Sequence, residues 1–162
     1  VLLEAGIRFV PILHTGNSQR SQEEADRIRA LYDNLLLQHF VDKQGRKRRI
    51  GIADILVVAP YNMQVNLLRQ TLPEGARVGT VDKFQGQEAP VVIVSMATSS
   101  EEYLPRDIGF LFSKNRLNVA ISRAQCLAVM VASPDLLTVK CNTVEQMALV
   151  NLMCWVAQEA GA

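Results

Sequence analysis

Residues 89–98 read APVVIVSMAT, and the fold turns on that run. Valine and isoleucine dominate it, and side chains branched at Cβ favour extended backbone over helix. The apolar residues are nearly continuous rather than alternating, which marks a strand buried on both faces, the kind found in parallel sheets. Working outward, similar short runs recur: ADILVVAP at 53–60, ARVGTV at 76–81 and CLAVMVAS at 126–133. IRFVPILH at 7–14 is a further strand, with Pro11 pointing to an edge position or a bulge.

Helical spacing fills the gaps. Ser21-Gln22-Glu23-Glu24 has the form of a capping box, and Ala25, Ile28, Tyr32, Leu35 and Leu36 follow at helical intervals to about Phe40. A second helix is expected from Asn62 to Leu72, with Met63, Leu67, Leu68 and Leu72 as its apolar stripe and Pro73 and Gly75 as its stop. A third, from Asn115 to Ala124, places Leu117, Ala120, Ile121 and Ala124 on one face. The tail from Thr143 to Ala160 predicts a capped helix, with Thr143 and Gln146 as a possible box. It is apolar on more than one side, so it should pack between elements or against a missing neighbour. Residues 42–51 (DKQGRKRRIG) and 99–113 are expected to be connections.

Strands alternating with helices imply an α/β domain, a mainly parallel sheet covered on both faces in three layers. One such domain should occupy residues 1–162, with 143–162 packed on it. In such sheets chemistry gathers beyond the carboxyl ends of the strands. Three polar segments are expected there: after Ala59, after Val81, and in the helix before the last strand.

Bulk properties narrow the function. The chain has 162 residues, 49% of them apolar and 20% charged, enough for a sizeable core. A net charge of +1 gives no overall attraction for phosphates, so nucleic acid would be held by placed groups and local patches. Cys126, Cys141 and Cys154 are widely spaced and form no C-x-x-C pair, which fits free thiols in a reducing, cytoplasmic setting better than disulfides or zinc. His14 and His39 are isolated, so no metal site is expected. No run has the length and purity of a membrane span, and no signal segment opens the chain. A start at Val1, inside a strand and without Met, suggests a piece of a longer polypeptide.

Three segments carry a specific resemblance. APYNMQV (59–65), GTVDKFQGQEAPVVIVSMATSS (79–100) and NRLNVAISRAQ (115–125) resemble motifs IV, V and VI of superfamily 1 helicases. The branch contains the nonsense-mediated-decay helicase, senataxin and bacterial proteins that join a RecB-like nuclease to the motor. The resemblance covers roughly residues 54–134 and implies a RecA-like second motor domain.

By this similarity Arg123 is the arginine finger that neutralises charge on the γ-phosphate, a role in which a planar, always-charged guanidinium excels. Taken alone, Arg123 would suit a surface arginine paired with a carboxylate. Gly86, Gln87 and Glu88 would face nucleotide. Gly86 would permit positive φ and close backbone approach, with Glu88 near the ribose or the metal-water shell. A plain turn with Glu88 solvated is the bland alternative. Tyr61, Asn62 and Gln64 would flank the nucleotide at a helix start, although Asn62 as a simple N-cap and Tyr61 as a half-buried wedge fit equally. Thr80, Val81 and Asp82 would meet a nucleic-acid backbone, with Asp82 orienting a neighbour rather than facing phosphate. Arg116 would reach nucleic acid or brace the loop. The basic run Arg46 to Arg49, with Lys43, has no interleaved aromatics and is read as solvated.

An NTP hydrolase needs a G-x-x-x-x-G-K-[ST] loop and an acidic strand end for Mg²⁺, and this sequence has neither. ATP and Mg²⁺ are therefore expected to be held mostly by a first RecA-like domain of the same polypeptide. Single-stranded DNA or RNA would be the second partner, translocation would run 5′ to 3′ in this branch, and the chain alone should not hydrolyse ATP. Two rivals are a non-catalytic RecA-like binding or interaction domain and a dinucleotide enzyme. An intact Arg123, Gly86 and Glu88 speak against the first, and the absence of G-x-G-x-x-G against the second.

Overall fold

The computed structural model describes residues 5–100, 114–141 and 143–159. Seven strands lie among them: β1 Gly6–Pro11, β2 His39–Val41, β3 Lys47–Arg49, β4 Ile55–Val58, β5 Arg77–Gly79, β6 Ala89–Ser95 and β7 Ala124–Ala132. The helices are α1 Gln22–Leu35, α2 Asn62–Thr71, α3 Lys114–Ser122 and α4 Val144–Glu159. Five strands form one sheet in the order β1-β7-β6-β4-β5, and every pairing in it is parallel. The fold is RecA-like α/β.

The continuous apolar run at β6 is at the centre of the sheet, and all of its residues are buried. Alternation sorts the side chains into two cores. Ile55, Val57, Val91, Ile93, Val129 and Val131 pack against α1 and α2. Leu56, Val58, Val92, Val94, Met130 and Ala132 pack against α3 and α4. Pro11 ends β1, which pairs only with β7 and is thus an edge strand.

Several expectations need correction. Helix α1 stops at Leu35, and Phe40 belongs to β2. The expected connection over 42–51 contains β3, which pairs antiparallel with β2 through His39↔Arg49 and Val41↔Lys47. Asp42 builds the intervening turn by accepting the Gln44 and Arg46 N–H groups, each at 2.9 Å. In α2 the stripe holds at Leu67, Leu68 and Leu72, but Met63 is exposed and Gln64 is buried in its place. Residues 101–113, most of the expected loop, lie outside the described residues.

The last helix keeps its cap, with the Gln146 N–H donating to Thr143 Oγ1 at 3.2 Å. It buries Leu149, Val150, Met153 and Val156 while leaving Val144, Met147 and Trp155 exposed, so it is apolar on more than one face. Among the described residues no helix is long and apolar enough to cross a membrane.

Candidate functional site

Parallel strands give the sheet two chemically distinct edges, and the motif residues divide between them. This corrects the expectation that all three segments lie beyond the carboxyl ends. Residues 85–88 and Arg123 stand at the amino ends of β6 and β7. The register pairs Ala89 with Ala124, and the Ala89 N–H donates to the Arg123 carbonyl at 3.0 Å. Arg123 therefore follows the last turn of α3 and sits one residue from the start of β7, beside the turn that contains Gly86.

Arg123 is half-buried, and its backbone N–H is shared between two α3 carbonyls, Val119 O at 3.2 Å and Ala120 O at 3.3 Å. Its side-chain Nε is buried with no hydrogen-bond partner among the described residues. A buried guanidinium N–H without an acceptor is costly, because the group has left water for nothing. Such an orphan suits an anion supplied from outside.

Gly86 has φ +78°, a left-handed conformation that glycine adopts without strain, and nothing lies within 4 Å of where a Cβ would project. Glu88 is exposed and accepts from Gln125 Nε2 at 3.3 Å. Gln87 is held differently, its Oε1 taking a hydrogen bond from Arg77 Nη2. Next to Glu88, a cleft of about 530 Å³ opens towards the β2–β3 hairpin, lined by Phe40, Arg48, Asp54, Glu88 and Gln125 among others. Arg48 anchors this hairpin. Its guanidinium binds both oxygens of Asp54 at 2.8 and 2.6 Å and lies 4.4 Å above the Phe40 ring. Burial by itself would push the Asp54 carboxyl up, but Arg48 and the Gly51 N–H outweigh it and hold the carboxyl below its ordinary value.

The carboxyl edge gathers the other candidates. Thr80 follows β5 and precedes a 3-10 turn, Val81–Phe84. Val81 and Phe84 are buried, so Val81 has only its backbone to offer. Asp82 pairs with Arg116 of α3 at 3.3 Å, and both are well exposed. This joins the second and third motif segments, as the idea that Asp82 orients a neighbour requires. Asn62 is the first residue of α2 and exposed, whereas Tyr61 occupies the N-cap position without a side-chain cap. Tyr61 is buried; burial pushes its phenol above the ordinary value, and the Thr98 hydroxyl partly offsets this.

Gln64 is fully buried and belongs to a polar network. Its Oε1 accepts the Ser21 N–H at 2.8 Å, and its Nε2 donates to Ser21 O at 3.2 Å and Ser95 Oγ at 3.0 Å. As placed, it presents no surface to a ligand. The capping box is therefore only half formed: Ser21 Oγ accepts from the Glu24 N–H at 3.1 Å, but the Glu24 carboxylate turns inward. There it meets His14 Nε2 at 2.9 Å, Ser95 Oγ at 2.6 Å and the Ala97 N–H at 2.9 Å. His14, isolated in sequence, is thus buried beside Glu24, with Ser99 Oγ 2.6 Å from its Nδ1. Sequence reasoning missed Glu24, His14 and Arg77, whose partners are remote in the chain. Spacing carries no signal for such pairs.

Comparison with known proteins follows the same line. A family described as "AAA domain" matches residues 12–135. The "Putative helicase mov-10-B.1" of Danio rerio is 37% identical over 140 residues, covering 76% of this chain. The chain belongs to the superfamily 1 helicases. "RNA helicase Mov10l1" of Homo sapiens is 34% identical over 129 residues, 75% of this helicase domain. "DNA polymerase alpha-associated DNA helicase A" of Schizosaccharomyces pombe is 49% identical over 73 residues, 43% of it. The domain spans only 13%, 10% and 11% of those three proteins.

Proposed function

We propose that this helicase domain is the second half of an ATP-driven motor. It closes on a phosphate-loop domain and delivers Arg123 to the γ-phosphate of ATP held there. The observation that carries this is the buried, unpartnered Nε of Arg123 beside the Gly86 turn at the amino edge. Arg123 would neutralise developing charge, and the Gly86 backbone would approach the phosphate.

Among the described residues no three His, Cys, Asp or Glu side chains converge to hold a metal. In this proposal Mg²⁺, which neutralises phosphate charge when bound, would be held by the partnering domain. The opposite edge would grip a single strand through Thr80, the Val81 backbone, Asn62 and Arg116, with Asp82 fixing the Arg116 guanidinium. Phosphate contacts of this kind do not distinguish DNA from RNA, consistent with relatives named for each. Opening and closing driven by ATP turnover would convert alternating grips into translocation.

The test joins the domain to a phosphate-loop motor domain and compares strand-stimulated ATP hydrolysis with and without Arg123→Ala. A loss of about 10³-fold in turnover with nucleotide affinity largely kept is expected. Normal turnover by Arg123→Ala would remove the finger assignment, and hydrolysis by this chain alone would remove the half-site.

A further inference from the structure

Arg77 opens β5 at the amino edge, and nothing in its local sequence marks it out. Its guanidinium nevertheless meets three groups on two other segments. Nη1 donates to the Ala53 carbonyl, just before β4, at 2.9 Å. Nη2 donates to Gln87 Oε1 within the Gly86 turn. Its Cζ lies 5.7 Å from the centroid of the Phe84 ring, and Phe84 is buried at the start of that turn. Lys83 lies the same 5.7 Å from this ring and folds back over Gly79, so one cation flanks the aromatic from each neighbouring segment.

We propose that Arg77 is a positioning residue that braces the Gly86 turn against the amino ends of β4 and β5, with Gln87 as the strut it grips. The proposal rests on the nucleotide-facing role given to that turn above. The turn needs such a brace. Residues 85–88 are all exposed, and Gly86 adds backbone freedom rather than removing it. Phe84 packs into the core on one side and Ala89 is fixed by Arg123 on the other. Between these anchors, the side-chain hydrogen bonds of the turn run from Arg77 to Gln87 and from Gln125 to Glu88. Arginine suits the job because one planar fork reaches two acceptors while its face covers a ring, which an ammonium cannot do. Gln87 thereby acts through the turn rather than on nucleotide.

A brace acts on geometry that matters in the transition state, so its loss should lower kcat and leave ground-state binding alone. The experiment uses the joined motor described above. Arg77→Met and Gln87→Ala should each lower kcat about tenfold, within the range known for small misplacements. KM for ATP and Kd for a single strand should stay within about twofold. The double variant should be no slower than either single, because one contact is removed twice. Arg77→Lys should recover part of the rate. An unchanged kcat in Gln87→Ala, which alters only an exposed side chain, would overturn the brace even if Arg77→Met folds poorly. Losses that multiply in the double variant, or a rise in KM at constant kcat, would overturn it too. Arg123→Ala, run in parallel, separates the two levels: normal turnover there removes the parent role, while a slow Arg123→Ala beside a normal Arg77→Met removes only the brace.

Discussion

Glu24→Ala should be among the most destabilising single changes in this domain. The carboxylate is fully buried and receives three hydrogen bonds: from His14 Nε2 at 2.9 Å, Ser95 Oγ at 2.6 Å and the Ala97 N–H at 2.9 Å. Truncation leaves a buried imidazole, a buried hydroxyl and a buried amide without their acceptor, in a space closed to bulk water. Each such orphan costs about 1–3 kcal/mol, so the three together, after partial relaxation, should cost about 3–5 kcal/mol. The Ala97 bond has an added burden, since that residue is held at φ +68°, where a Cβ is strained by about 1–2 kcal/mol. A loss of about 3–5 kcal/mol should lower the melting temperature by about 6–20 °C in a domain of this size. Urea unfolding followed by circular dichroism should show the midpoint falling by about 1 M or more. Glu23→Ala is the control, because Glu23 is exposed and its truncation should cost less than about 1 kcal/mol. A Glu24→Ala midpoint within error of Glu23→Ala would show that the network is not holding these segments together.

Other expectations follow from single positions. Leu117 is fully buried between α3 and the sheet, so Leu117→Ala should cost about 2–5 kcal/mol in urea unfolding. Gly86→Ala meets no atom within 4 Å but must keep φ +78°, so it should lose only about 1–2 kcal/mol; a larger loss would mean that the turn has packing partners. Asp54 has a carboxyl held below its ordinary value. Its contribution is therefore complete above the unfolded carboxylate pKa, near about 3.9, and is lost as pH falls through the lower folded value. Wild type and Asp54→Asn should differ in urea midpoint at pH 7 and converge in acid; a difference that persists in acid would refute the assignment.

How much was legible depended on whether the determining contacts are local. The stretches 55–58, 89–94 and 127–132 announce buried parallel strands because burial on both faces leaves them without polar residues. Motif segments could be located by their residues, but the edge they occupy could not. The chain recrosses from β5 to the start of β6 through a four-residue 3-10 turn, and a crossover so short leaves no periodic signal. The hairpin at β2–β3 was hidden for a related reason. Lys47–Arg49 is a fully exposed, basic strand, so it has none of the apolar alternation by which strands are recognised. Gln64 misled because a glutamine at a helix start reads as surface, whereas its amide here satisfies both backbone groups of Ser21.

The division of the sheet into two edges suggests how the domain could transmit a change from one ligand to the other. Gly86 to Glu88 and Arg123 occupy the amino edge, and Thr80 to Asp82, Arg116, Tyr61 and Asn62 the carboxyl edge, yet two elements touch both. Residues 80–88 run from Thr80 at one edge to Glu88 at the other with Val81 and Phe84 buried between. Helix α3 presents Arg116 to Asp82 near its start and leads into Arg123 after its end. These two spans are tied together twice, at Asp82–Arg116 and where the Ala89 N–H meets the Arg123 carbonyl. The exposed ion pair adds little stability, about 0–1 kcal/mol, so breaking it is cheap. The backbone bond donated by the buried Ala89 N–H is not. A bound phosphate competing for Arg116 could thus release Asp82 without disturbing the amino edge, and coupling to Arg123 would then run through α3 or along residues 80–88 to the Ala89–Arg123 bond. Asp82→Asn should then change strand affinity while leaving unstimulated ATP turnover of the joined motor within about twofold of wild type; an equal fall in unstimulated turnover would place the coupling in the ion pair itself.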